Sequence, residues 1–156
     1  MGQIRPLGTD IVVFPTGAPM AVLADPDAAW PTESPRASGW RFRGYQLDAL
    51  KRPTLLYTFG KLEVEDFLEP RDFAGRPGLH RTVRLAGNVP DPLLMRLAAG
   101  KLQSSGPDAW KIDGTLTLSV KSGGTARLRG TGAKQELLVP IGSGATATTL
   151  EVDYVW

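Results

Sequence analysis

Apolar and polar side chains alternate with a period of two through most of this chain, and Gly or Pro breaks the alternation every few residues. In Leu116-Thr117-Leu118-Ser119-Val120 the apolar residues share one face and the hydroxyls the other. In Leu150-Glu151-Val152-Asp153-Tyr154-Val155-Trp156 one face carries Leu150, Val152, Tyr154 and Trp156, and Leu62-Glu63-Val64-Glu65 repeats the pattern. Successive side chains of an extended strand point to opposite faces, so each stretch covers a core on one side and meets water on the other. That is the signature of antiparallel sheet. It predicts strands near 10–14, 20–24, 40–48, 54–59, 61–69, 79–86, 93–98, 109–112, 114–120, 125–129, 135–140 and 147–156. The best helix candidate, Pro92 to Gly100, fits a strand as well. About a dozen short strands with frequent turns and little helix predict an all-β fold. The expected form is an antiparallel β-sandwich, for which the large mutarotase-like supersandwich is one version, spanning residues 1–156 as a single domain. No repeat of 20–50 residues points to a propeller or solenoid.

Turn chemistry fills the breaks. Gly60 between two strand patterns predicts a tight hairpin, and Asp113-Gly114 is the strongest two-residue hairpin signal in the chain. Ser122-Gly123-Gly124 and Gly142-Ser143-Gly144 predict two more turns. Residues 25–39 form one long irregular stretch with Asp25-Pro26-Asp27, Trp30-Pro31 and Ser34-Pro35. Loops of that length are uncommon and often functional.

Composition removes several classes of function. The chain has no Cys and one His, so disulfides, zinc–thiolate sites, iron–sulfur clusters, thiol nucleophiles and multi-histidine metal sites are out. No apolar run approaches the roughly 18–20 residues of a membrane-spanning helix. Eighteen cations face 16 anions, but the cations are scattered, which is no footprint for nucleic acid. The opening Met1-Gly2-Gln3-Ile4-Arg5-Pro6 lacks the apolar region of a signal peptide. The expectation is a cytoplasmic protein or a segment of a longer exported one.

Few residues suggest chemistry. His80 sits in Leu79-His80-Arg81-Thr82-Val83-Arg84-Leu85, where alternation sets it with Thr82 and Arg84 on what is expected to be a solvated face. Glu63 and Glu65 share one strand face, as do Arg41 and Arg43, and cross-strand pairing of these charges is expected. Asp66 falls on the apolar face with Leu62, Val64 and Leu68, so its carboxylate must find buried donors. Asp25, Asp27 and Asp48 match no calcium loop and read as turn formers. No G-x-S-x-G elbow or phosphate-binding loop occurs. The aromatics are the main positive signal: Trp30, Trp40, Tyr45 and Trp110 lie in or beside loops, where ring faces either pack in a core or stack on sugars.

One ordered set of motifs resembles a known module. It comprises Ala21-Val22-Leu23-Ala24, Trp30-Pro31, Phe42-Arg43-Gly44-Tyr45-Gln46-Leu47-Asp48, Pro53-Thr54-Leu55-Leu56-Tyr57, Val64-Glu65-Asp66 and Pro70. Arg96-Leu97-Ala98-Ala99-Gly100, Gln135-Glu136-Leu137-Leu138-Val139-Pro140 and the Leu150-to-Trp156 strand follow in order. Together they resemble the β-rich C-terminal accessory module of large secreted bacterial proteins. Those proteins join a PQQ- or sorbosone-dehydrogenase-type domain to c-type cytochrome domains. The resemblance implies an accessory β-domain in a periplasmic or extracellular setting. The haem-attachment motif C-x-x-C-H has no counterpart here, so no electron-transfer role comes with it.

Two readings follow. One is a non-catalytic carbohydrate-binding module with Trp30, Trp40, Tyr45 or Trp110 as platforms and Arg41, Arg43 or Glu63 as polar contacts. The other is a structural domain that docks on a partner protein domain or oligomerises through a sheet edge. A carbohydrate-active enzyme using Glu65 or Asp66 with His80 ranks third. No catalytic set, metal or cofactor is expected.

Overall fold

The computed structural model describes residues 8–142 and 147–156. Twelve strands form in chain order: β1 Met20–Val22, β2 Trp40–Leu47, β3 Pro53–Phe59, β4 Leu62–Asp72, β5 Pro77–Ala86, β6 Leu93–Gly100, β7 Leu102–Gly106, β8 Ala109–Ile112, β9 Leu116–Ser122, β10 Arg127–Arg129, β11 Gln135–Ile141 and β12 Ala147–Val155. The only helical element described is one 3-10 turn, Gly132–Lys134. The strands make two antiparallel sheets, β1-β6-β11-β10 and β2-β3-β4-β5-β12-β9-β8-β7. The chain is an all-β sandwich, as the alternation predicts.

The apolar faces meet where expected. Leu62 and Val64 of β4, Val83 and Leu85 of β5, Leu118 of β9 and Leu150, Val152 and Tyr154 of β12 pack against Met95, Leu97, Leu137 and Val139 of the smaller sheet. The smaller sheet is buried on both faces. Its outer side, with Ala21, Leu94 and Leu138, is covered by Leu23, just after β1, and by Trp30 from the irregular 25–39 stretch. Strands covered on both sides have no reason to alternate, which is why Leu93-Leu94-Met95 and Leu137-Leu138-Val139 read as continuous apolar runs.

Arginines fasten that covering segment. Arg129 donates to the carbonyls of Pro26 and Ala28 at 2.9 and 2.6 Å and to Glu136 at 2.7 Å. Arg96 bonds Glu136 at 2.9 Å and lies over the Trp30 ring.

The turns follow the expected chemistry where they are described. Gly60 and Lys61 join β3 to β4, and Asp113 and Gly114 both take positive φ between β8 and β9. The bend at Gly123 and Gly124 carries the chain from one sheet to the other. A Cβ on Gly123 would meet the Thr149 carbonyl at 2.1 Å, so only glycine fits. Ser143 and Gly144 of the Gly142-Ser143-Gly144 expectation lie outside the described residues.

Against the expected strand set, one strand is absent, one segment open between helix and strand resolves to strand, and one strand is additional. Residues 10–14 are not a strand; they run as irregular chain, with Val12 against the core and Phe14 edge-on to Tyr154. The Pro92–Gly100 segment is strand β6. Strand β7 escapes the pattern because Leu102 is its one apolar anchor, and it is held by its ladder to β8.

Candidate functional site

The larger sheet extends past the smaller one on the β2–β3 side. Residue pairing sets Trp40, Phe42, Tyr45 and Leu47 of β2 on the inner face, opposite Phe59, Tyr57, Leu55 and Pro53 of β3. A bulge between Phe42 and Gly44 keeps Tyr45 on that face despite odd spacing. Trp40 is buried, stacked on Phe59 and bonded through its indole N–H to the Met20 carbonyl at 3.0 Å. Beyond it the cover ends: Phe42 is 67% exposed, Tyr45 61% and Leu47 51%.

A cleft of about 780 Å³ opens between this hairpin and the segment on the other wall. Phe42, Leu55, Trp40 and Tyr57 form one side, and Phe14, Pro19, Pro35 and Arg36 the other. Asp66 and Arg81 lie at its floor, 4% and 5% exposed. Arg81 Nε donates to Asp66 Oδ1 at 2.8 Å, and its terminal nitrogen to Oδ2 at 2.6 Å, a two-pronged pair. Tyr57 OH donates to Asp66 Oδ2 at 2.9 Å, and Phe14 stacks over the guanidinium at 4.3 Å. Asp66 thus finds the buried donors that its place on an apolar face demands.

The electrostatics of the floor follow from burial. Burial pushes the Tyr57 phenol far above its ordinary value of 10, and the adjacent Asp66 carboxylate pushes it further. Burial raises Tyr154 as well, against the opposing pull of Arg81. Burial disfavours the Arg81 charge, but Asp66 outweighs it and holds the guanidinium protonated. The floor is a neutralised ion pair capped by neutral phenols.

The structure scatters the remaining sequence candidates. Trp30 and Trp110 are buried, Trp30 on the smaller sheet's outer side and Trp110 in the main core. Trp40 is buried as well and meets solvent only where it lines the cleft. Tyr45 alone of the four aromatic candidates is exposed. Arg41 lies at the cleft and donates to the carbonyls of Arg36 and Trp40 at 2.6 and 2.8 Å. Arg43 and Glu63 line a separate hollow of about 450 Å³ with Glu65 and Arg84. The expected Arg41/Arg43 to Glu63/Glu65 pairing does not form among the described residues, because β3 lies between β2 and β4. Glu65 instead approaches Arg84 at 3.9 Å.

His80 is buried, not solvated. Its Nδ1 lies 2.6 Å from Asp153 Oδ1, and its Nε2 3.8 Å from Glu151 Oε1. Pairing sets it between Glu69 and Asp153 on the outer face. Asp66 points to the inner face, and Glu65 pairs four residues further along β5, at Arg84. Strand rise puts that roughly 13 Å away. The set of Glu65 or Asp66 with His80 is therefore not assembled. Asp25 and Asp48 accept backbone N–H groups in local turns, as expected. No cluster of three metal-ligating side chains occurs among the described residues.

Sequence reasoning missed the Arg81 half of the floor pair. The signal was present: alternation sets Arg81 with Leu79, Val83 and Leu85, as it sets Asp66 with Leu62 and Val64 on a neighbouring strand. No family model, curated protein or solved structure matches the chain.

Proposed function

We propose that this chain is a non-catalytic interaction domain that docks the open end of its sandwich on a partner protein. The observation that carries the reading is the uncovered inner face of the β2–β3 hairpin, where Phe42, Tyr45 and Leu47 stand exposed in a row beside an apolar cleft. A contiguous apolar face of this kind is rare on a chain that works alone, and its removal from water favours association. The charged groups of the cleft floor already satisfy each other, which leaves little to orient a hydroxyl-rich ligand. The buried indoles weigh the same way.

Carbohydrate binding is the second reading, and the exposed rings of Tyr45 and Phe42 are what favour it. The exported bacterial setting implied by the sequence resemblance suits either reading.

Trp40 is a built-in reporter, because it lines the cleft. Its emission should shift on titration with short apolar peptides and stay unchanged with soluble oligosaccharides. A Phe42→Ser/Tyr45→Ser variant should bind such peptides about tenfold or more weakly with an unchanged melting temperature, as expected for exposed interface anchors. A shift driven by a glycan instead would assign the site to carbohydrate. No shift with either would refute both.

A further inference from the structure

We propose that β2 accepts an added strand from a partner protein, in which apolar residues alternate with acidic ones. This rests on the docking reading above and names the mode and the partner's chemistry.

Among the described residues strand β2 pairs only with β3, so its other edge is open there. An unpaired edge is a template for another strand. The register shows which groups are available. The Asp48 N–H donates to the Arg52 carbonyl at 3.1 Å, so that pair is a hydrogen-bonded one. Hydrogen-bonded and non-bonded pairs alternate along an antiparallel ladder. Gln46/Thr54 is then bonded, and Leu47/Pro53 and Tyr45/Leu55 are not, which agrees with the missing N–H of Pro53. The N–H and C=O groups of Tyr45 and Leu47 therefore point away from β3 into the open edge. At the strand's start the edge is closed, because the Trp40 N–H already donates to the Pro35 carbonyl at 2.9 Å. The ladder open to a partner is the half from Gly44 to Leu47.

Side chains specify what would pair there. An added strand continues both faces of the sheet. On the inner face its residues would lie beside Tyr45 and Leu47 and reach toward Phe42 and the cleft, so they must be apolar. On the outer face they would lie beside Gln46 and, where the open half begins, Arg43. Arg41 is tied to the Arg36 and Trp40 carbonyls, and Arg76 and Arg127 to the Trp156 and Pro26 carbonyls, whereas Arg43 has no carboxylate partner among the described residues. An acidic residue on the outer face of the added strand complements Arg43. A second copy fits less well, since two β2 strands side by side would set the Arg43 of both chains on one face.

The test uses the intact chain and fluorescein-labelled synthetic peptides. One alternates Glu with Val and Tyr, a second carries Lys for Glu, and a third holds the first peptide's residues in separate apolar and acidic blocks. Anisotropy gives affinity at low and high salt, and amide hydrogen exchange reports the edge. The alternating acidic peptide should bind about tenfold or more tightly than either companion, and more weakly as salt rises. It should slow exchange at Tyr45 and Leu47 by about tenfold or more. An Arg43→Glu variant should prefer the Lys peptide. Leu47→Pro, which removes an outward N–H at an edge position that tolerates proline, should lose more binding than Leu47→Ala.

Equal affinity for the Glu and Lys peptides overturns the acidic partner. Binding without protection of Tyr45 and Leu47 overturns strand addition but leaves docking intact. No peptide binding, with Trp40 emission unmoved by any apolar peptide, defeats the docking reading itself. A dimer with those amides protected in the absence of peptide assigns the edge to a second copy.

Discussion

Removing the Asp66 carboxylate while keeping Arg81 should damage this protein more than removing both. Asp66 and Arg81 are almost wholly buried and joined by two hydrogen bonds of 2.8 and 2.6 Å. Asp66→Leu leaves a guanidinium without its counter-charge in a low-dielectric floor. Breaking a buried pair in this way costs about 3–5 kcal/mol. A domain of ordinary stability holds only about 5–15 kcal/mol, so the loss is a large fraction. At about 2–4 °C per kcal/mol for this chain length, the melting temperature should fall by roughly 6–20 °C. Arg81→Met should cost a similar amount by stranding Asp66. The combined variant also needs Tyr57→Phe and Tyr154→Phe, because the Tyr57 hydroxyl donates to Asp66, the Tyr154 hydroxyl accepts from Arg81, and each would be orphaned at about 1–3 kcal/mol. With all four changed, an apolar floor of similar volume replaces the pair, and stability should return to within about 1 kcal/mol of the parent or exceed it. Urea denaturation of the parent, both single variants and the quadruple variant measures this directly. A single Asp66→Leu effect below about 1 kcal/mol would refute the reasoning. So would a quadruple variant whose loss equals the sum of its parts, since groups in one network must couple.

Alkaline unfolding should track two tyrosines. Burial raises Tyr57 and Tyr154 above the ordinary value of 10, so their contribution is fully present below pH 10 and is lost as pH climbs from there toward the folded values. Tyrosinate absorbance from these residues should appear together with loss of circular dichroism, and absorbance well ahead of unfolding would contradict it. Trp30→Ala should destabilise by about 3–5 kcal/mol, because the ring covers the smaller sheet's outer side. Iodide should quench chiefly the half-buried Trp156 in the parent, and strong quenching of all four indoles would show that the others are not core.

Much of the sandwich was legible from local pattern. Strands β4, β5, β9 and β12 declare themselves because each has one wet face and one dry face. The pattern weakens where that condition fails. Strands β6 and β11 are dry on both faces, and β7 is wet on nearly all of its length. Asp66 was legible as a buried carboxylate because it breaks an apolar face. His80 was misread because alternation names a face without naming its neighbours. Its outer face is dry at that point, since Asp153 and Glu151 close around the imidazole from β12, about 70 residues away.

The sequence by itself determined the class of fold, the turn positions and which side chains share a face, since all three follow from backbone geometry within a few residues. Only the tertiary structure decided what covers each face. Residues 25–39 lie on the smaller sheet and bury their one aromatic ring, Trp30, while nothing described covers Phe42, Tyr45 and Leu47 of the more aromatic β2. Burial is a property of contacts between segments remote in sequence, and a period of two carries no information about which segment arrives. The same limit hid the cleft, whose walls come from Phe14, Pro35, Phe42 and Arg81. The open edge of β2 was set by topology, through the order in which eight strands fell into one sheet.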